Sequence, residues 1–383
     1  MKNTSLFQVT LTILLIFGAT TVVYLYANGY RLERKNGKSI DLTQTGMVGA
    51  KSIPEGANVY LDGILLTATN DTIAGIEPGT RHLKIIKKGF VPWEKDIEVF
   101  KEVVTDITAV LVTQSSRLEP LTNTGARSPT TSPSLSRLAY FSDDSEEPGI
   151  MVISLGGNFG FLRNGPTITL EDTKFIKYST GKSMEWSPDE RKLLVETETG
   201  RYFIVDLETK TSEITSSPEK TKEIWKEYLK EKRERVTNKL DLSDELRTIS
   251  LSENALWAPD GKKFLITVPN GSNLDYKIYN LEDPLPVGEK RETTVLSINS
   301  YDSQPKVSWY SDSFHLLLLE GDVATNKQAK ISLIRIDGTN KTEIFNNTLY
   351  SDSVYSSPGG DKIIILTSFK SGDQTDLYTV SIR

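Results

Sequence analysis

At 383 residues the chain is too long for one ordinary hydrophobic core, and two or three domains are expected. Its 37% hydrophobic and 25% charged residues describe folded domains, and a formal net charge of -6 without a long Lys/Arg run argues against a nucleic-acid partner. Cysteine is absent and histidine occurs only at His82 and His315, which removes disulfides, thiol nucleophiles and Cys- or His-rich metal sites; no metal and no cofactor is expected.

From Leu6 to Ala27 the chain reads LFQVTLTILLIFGATTVVYLYA, with no charge. About 20 residues of helix span a bilayer core, so residues 1–27 are expected to be a single-pass transmembrane anchor, with the lipid bilayer as partner through residues 6–27. A cleavable signal peptide would end in a small-x-small triplet, and YLYANGY offers none. Tyr24, Tyr26 and Tyr30 fall where an interfacial aromatic belt would lie. Lys2 precedes the segment while Arg31, Arg34, Lys35 and Lys38 come after it, a count that favours the bulk of the chain staying inside. Large domains, however, translocate largely regardless of flanking charge. Residues 28–45 read as a connector.

Residues 46–113 are dense in strand signals. Ala57 to Leu61 is a short strand, Asp62-Gly63 a two-residue hairpin turn, and Ile64 to Thr67 its return. Pro54, Glu55 and Gly56 turn the chain sharply ahead of this hairpin, and Glu77-Pro78-Gly79 and Lys88-Gly89-Phe90 separate the strands beyond it. A small antiparallel β-sandwich is expected. The segment resembles the PEGA family, whose name Pro54, Glu55, Gly56 and Ala57 spell out in SIPEGANVYLDG, with KKGFVPWEKDIEV in support. The resemblance implies a β module of bacterial and archaeal surface or envelope proteins, with no catalytic residue to carry over. Trp93 and Tyr60 read as core or cross-strand packing at least as well as a sugar-binding platform.

Beyond the short linker Thr113 to Ser115, residues 116–383 repeat. SPSLSRLAYFS, WSPDERKLLVE, WAPDGKKFLIT, WYSDSFHLLLL and SSPGGDKIIIL align, each placing Pro133, Pro188, Pro259, Ser311 or Pro358 four residues before Arg137, Lys192, Lys263, His315 or Lys362. One four-stranded unit cannot bury both faces alone, so the copies are expected to stack as an all-β propeller of five blades, with room for a sixth. The Pro or Ser positions lie 55, 71, 52 and 47 residues apart, and the excess over about 40–50 marks insertions. The last copy ends without an outer strand, and residues 116–122, SRLEPLT, are expected to supply it and close the ring. The region resembles the TolB-like propellers, best in Trp186, Pro188 and Asp189, in Trp257, Pro259, Asp260 and Gly261, and in Trp309 and Pro358. That resemblance implies a binding platform in which the motif residues are structural turns.

Between the second and third copies, SPEKTKEIWKEYLKEKRERV reads as a helix over about 218–236, with Ser217 as N-cap and Pro218 in the first turn. Ile224, Trp225, Tyr228 and Leu229 make an apolar stripe at helical spacing. It serves either to complete the propeller's own core or to dock a partner or membrane surface, the latter helped by Lys230, Lys232, Arg233 and Arg235.

No G-x-S-x-G, H-E-x-x-H or P-loop pattern occurs. The acidic cluster Asp143, Asp144, Glu146 and Glu147 reads as a solvated turn, and each histidine as a strand residue with its ring satisfied. No catalytic residue is expected. The reading is a non-catalytic, membrane-anchored envelope protein, most of it extracytoplasmic, whose propeller binds a protein or glycan partner on a PEGA stalk. The alternatives are an envelope hydrolase with its site on the propeller and a scaffold tethered at the cytoplasmic face.

Overall fold

The computed structural model describes residues 3–27, 30–35, 39–156, 166–369 and 374–383. Helix α1, Asn3–Ala27, forms over the charge-free run, and its span Phe7–Tyr26 is long and apolar enough to cross a membrane. Thr12, Thr20 and Thr21 return their hydroxyls to the carbonyls of Gln8, Ile16 and Phe17, so these polar groups are satisfied inside the helix. Tyr30–Lys35 and Ser39–Gln44 pair as an antiparallel hairpin.

The chain divides into two compact units, residues 1–111 with 286–289, and residues 112–285 with 290–383. Within the first, the expected sandwich is present as two sheets. One orders Asp71–Ile76, Gly46–Ile53 and Val104–Val110; the other orders Ile64–Ala68, Asn58–Leu61, Gly79–Ile86 and Trp93–Val99. It is not wholly antiparallel, because Gly46–Ile53 and Val104–Val110 run parallel. The strands between them act as one long crossover, which a parallel pair requires. The alternating burial of Trp93–Val99 puts Trp93, Ile97 and Val99 into a core shared with Val59, Leu83 and Ile85.

In the second unit, among the described residues, five four-stranded antiparallel sheets form the blades of a propeller. Blade 1 comprises Arg127–Thr131, Arg137–Ser142, Gly149–Ser154 and Thr167–Glu171; blade 2 comprises Gly181–Trp186, Lys192–Thr197, Tyr202–Asp206 and Thr211–Thr215. Blade 3 comprises Leu256–Trp257, Lys263–Asn270, Asn273–Asn280 and Glu292–Asn299; blade 4 comprises Lys306–Trp309, His315–Asp322, Gln328–Arg335 and Thr342–Thr348. Blade 5 takes Tyr355–Ser356, Lys362–Thr367 and Asp376–Ser381 from the end of the chain and Leu118–Pro120 from the start of the unit. The ring therefore closes as expected, with Leu118 opposite Val380. Buried Asp376 secures the closure by accepting from the Thr122 hydroxyl and the Gly125 N–H, both at 3.0 Å.

The five repeat motifs build the same turn. The first motif residue (Ser132, Ser187, Ala258, Tyr310, Ser357) donates its N–H to the carbonyl five residues on, and its own carbonyl accepts from the N–H three residues on. That third residue carries a positive φ in every copy: Leu135, Glu190, Gly261, Ser313 and Gly360. Glycine is free of strain in this region, and two of the five copies use it.

No sixth blade stands between blades 2 and 3. Helices α2, Pro218–Thr237, and α3, Asp244–Leu251, take that place. Lys222 of α2 pairs with Glu185 of blade 2 at 2.7 Å, and Leu246 and Ile249 of α3 pack against Phe264 and Ile266 of blade 3. Ser243 caps α3 by accepting from the Leu246 N–H, whereas Ser217 caps α2 with no side-chain hydrogen bond.

Candidate functional site

The tryptophans of the repeat organise the ring's interior. Trp186 Nε1 donates to the carbonyl of Thr130 in blade 1 at 3.1 Å, and Trp309 Nε1 to that of Leu256 in blade 3 at 2.8 Å. Each innermost strand is thus tied to the element before it. For Trp257 of blade 3 the preceding element is α3, and its Nε1 donates to the carbonyl of Ser250 at 2.9 Å.

Where the innermost strands of blades 1, 3, 4 and 5 face α2 they enclose a cavity of about 940 Å³. That volume lies in the range of small-ligand sites. Its apolar wall is built from Leu256, Trp257, Trp309, Leu317, Leu319 and Val354, and the helix contributes Leu229, Lys232, Arg233 and Val236. The Arg233 guanidinium sits 5.8 Å from the centre of the Trp257 ring, and burial presses its pKa below the usual arginine range. Lys306 pairs with Asp352 at the edge, and Glu253 pairs with Lys226 at 2.8 Å. Tyr355 donates to the carbonyl of Pro129, and desolvation raises its phenol pKa.

The helical stripe expected on α2 divides. Trp225 and Leu229 are half-buried, and Leu229 lines the cavity, whereas Ile224 and Tyr228 are exposed. The sequence offers Arg233 only as one of four basic residues, with Lys230, Lys232 and Arg235, that would help a docking helix, and nothing in the charge run itself singles it out. Its place four residues after Leu229, on the face begun by Trp225, is the signal that could have found it.

The other motif residues shape turns and core. Trp257 and Pro259 border the cavity, and Trp186 is buried in the core between blades 1 and 2 beside Phe141 and Phe203. Asp189 accepts from the Ser187 hydroxyl at 2.6 Å, which with the Arg191 N–H and charge holds its carboxyl below the ordinary range against the effect of burial. Asp260 and Glu282 flank Lys263, whose side chain is 0% exposed and lies over the Phe314 ring. Pro188 comes after Ser187 in the blade 2 turn, and Pro358 and Gly360 share the blade 5 turn, where the Gly360 carbonyl accepts from buried Tyr310. In the first unit, Asp62 and Gly63 both have positive φ, as a tight two-residue hairpin requires. Asp62 also accepts from the His82 N–H at 2.9 Å. Lys87 donates to the carbonyls of Glu55 and Gly56, Ser52 to that of Pro54, and Ala57 is fully buried.

Each histidine is engaged by a carboxylate. His82 lies 2.8 Å from Asp96, and His315, 2% exposed, has Nδ1 2.7 Å from Asp312. Burial alone would raise the Asp312 carboxyl. The His315 ring and the N–H groups of Phe314 and His315 outweigh it and hold the group below its usual value. Arg127 pairs with Asp143 of the acidic cluster at 3.0 Å, and Asp144 accepts from the Glu146 N–H. Among the described residues no group of carboxylates and imidazoles is arranged to hold a metal ion.

Comparison with known proteins decides the first unit. The PEGA domain family model matches residues 45–115. This segment is a PEGA domain. No curated protein matches the chain. Among solved structures the chain is similar to TolB from Acinetobacter baumannii, at 14% identity and a TM-score of 0.26 over 79% of this chain and 59% of that one. An oligogalacturonate lyase in complex with manganese aligns at 11% identity and a TM-score of 0.32, covering 80% of this chain and 86% of the other. A putative TolB from Agrobacterium tumefaciens aligns at 10% identity and a TM-score of 0.24, covering 89% and 100%. At such scores the strand order of the five blades, rather than the likeness, defines the propeller.

Proposed function

We propose that the protein is a non-catalytic binding platform of the cell envelope, held to the membrane by α1, with its bulk on the extracytoplasmic side and its propeller cavity engaging a protein or glycan partner. The cavity carries the reading. It is large, walled by two tryptophans and aliphatic side chains, and lined by the cations Lys232, Arg233 and Lys306, the combination of apolar area and few polar groups that recognition sites use. The 20-residue apolar span supports membrane attachment, and the PEGA domain between anchor and propeller in the chain supports an envelope setting.

Two measurements test this. The full chain, captured from detergent-solubilised membranes, should retain a discrete partner that is lost when Leu256→Arg fills the cavity with charge. Added protease should cut the propeller in intact cells; protection while a surface protein is cut would place it on the cytoplasmic side, the arrangement that the charges flanking α1 favour.

A further inference from the structure

The cavity's charges do not balance. Both carboxylates along it are occupied, Asp352 by Lys306 and Glu253 by Lys226. Lys232 and Arg233 reach the same wall with no carboxylate partner among the described residues, and Arg233 is half-buried over Trp257. A guanidinium removed from water without an anion has lost hydration that a bidentate carboxylate restores. The same cavity is lined by the innermost strands Leu256–Trp257, Lys306–Trp309 and Tyr355–Ser356. Each ends its sheet and pairs on one side only. Apart from the Leu256 carbonyl, held by Trp309, and the Val354 carbonyl, held by Ser308, such edges offer main-chain hydrogen bonds to an added extended chain, and the wall of Leu256, Trp309 and Val354 offers pockets for apolar side chains.

We infer that the cavity takes the C-terminal end of a protein partner, an extended apolar peptide whose free α-carboxylate is clamped by Arg233, with Lys232 beside it. This rests on the binding-platform reading and narrows it to one chemistry. The peptide is favoured over a free fatty carboxylate because the strand edges supply donors and acceptors that an acyl chain cannot use. Lys232 adds long-range attraction, while Arg233 provides the fork that fits two carboxylate oxygens.

The test uses the full chain in detergent micelles and a fluorescein-labelled Gly-Leu-Val-Leu peptide, prepared as the free acid and as the C-terminal amide, with anisotropy as readout. The acid is expected to bind about tenfold or more tightly than the amide, the scale of one charge-assisted hydrogen-bonded contact. Arg233→Gln should bring acid and amide together, and Arg233→Lys, which keeps the charge without the fork, should retain part of the difference. Equal binding of acid and amide to the native chain, a preference that survives Arg233→Gln, or absence of binding would each overturn the inference. Competition by decanoate as effective as the acid peptide would also overturn it, in favour of an amphiphile. Equal binding of the two peptides, abolished by Leu256→Arg, would sink the carboxylate clamp while leaving the platform reading standing. The platform reading itself is tested separately, by the capture experiment.

Discussion

The indole of Trp257 donates to the backbone of Ser250, so a helix occupies the position that a neighbouring blade's inner strand holds for Trp186 and Trp309. The same residue type at the same repeat position thus welds a non-repeating insertion into a repeating ring. The insertion in turn provides one wall of the cavity, and the cation in it.

Trp257→Phe keeps an aromatic ring but deletes this bond, and is expected to cost about 1 kcal/mol. The loss should be local. Hydrogen exchange of α3 and of the end of α2 is expected to accelerate while blades 1 and 2 stay protected, whereas Trp309→Phe should leave the helices unaffected. Uniform acceleration across the unit would show that the helices are not separately tied.

Gly181 opens blade 2 at a point where a Cβ would lie 2.2 Å from the ring of Phe141, which is fully buried in blade 1. Gly181→Ala is expected to destabilise by about 1–3 kcal/mol through overpacking. A second substitution, Phe141→Leu, should recover part of the loss, because it vacates the space the methyl needs. Strictly additive losses in denaturant unfolding would contradict the contact.

Asp312 contributes to the pH dependence. Its folded pKa lies below the ordinary value, so it contributes stability above about pH 4 that is lost as the pH falls through the depressed folded value. Thermal unfolding of the native chain should therefore move to lower temperature on acidification below about pH 4. Asp312→Asn should start from a lower midpoint at neutral pH and fall less steeply over the same window. Parallel curves for the two chains would show that the His315–Asp312 pair makes no contribution to the acid response.

Much of the architecture is legible in the sequence because its signals are local. The charge-free run, the Asp62-Gly63 turn and the five motif turns each depend on residues within a few positions of one another, and the outer strand at Leu118–Pro120 is recoverable from its likeness to TSEIT and KTEIF. What escapes depends on distance or face. The parallel pairing of Gly46–Ile53 with Val104–Val110 joins the two ends of the sandwich, and no local pattern reports it. Helix α3 is only eight residues long and hides behind the longer α2, though Ser243 ahead of Asp244 and Glu245 is a usable start signal. The four-residue stripe on α2 looks like one surface in the sequence. The boundary between buried and exposed runs through it, so that Trp225 and Leu229 turn in while Ile224 and Tyr228 turn out. Arg233 is legible only as one of several basic residues of a docking helix, because what sets it apart from Lys230, Lys232 and Arg235 comes from Trp257 and from carboxylates already paired elsewhere.

The central claim is that the propeller cavity is where a partner binds. It is tested most directly by placing a photoreactive benzophenone side chain at position 256, in the cavity wall, and at position 301, where Tyr301 is 92% exposed, and irradiating native membranes. A discrete crosslinked species from position 256 and none from position 301 is the predicted result. No adduct from 256, or the same adducts from both positions, would contradict it.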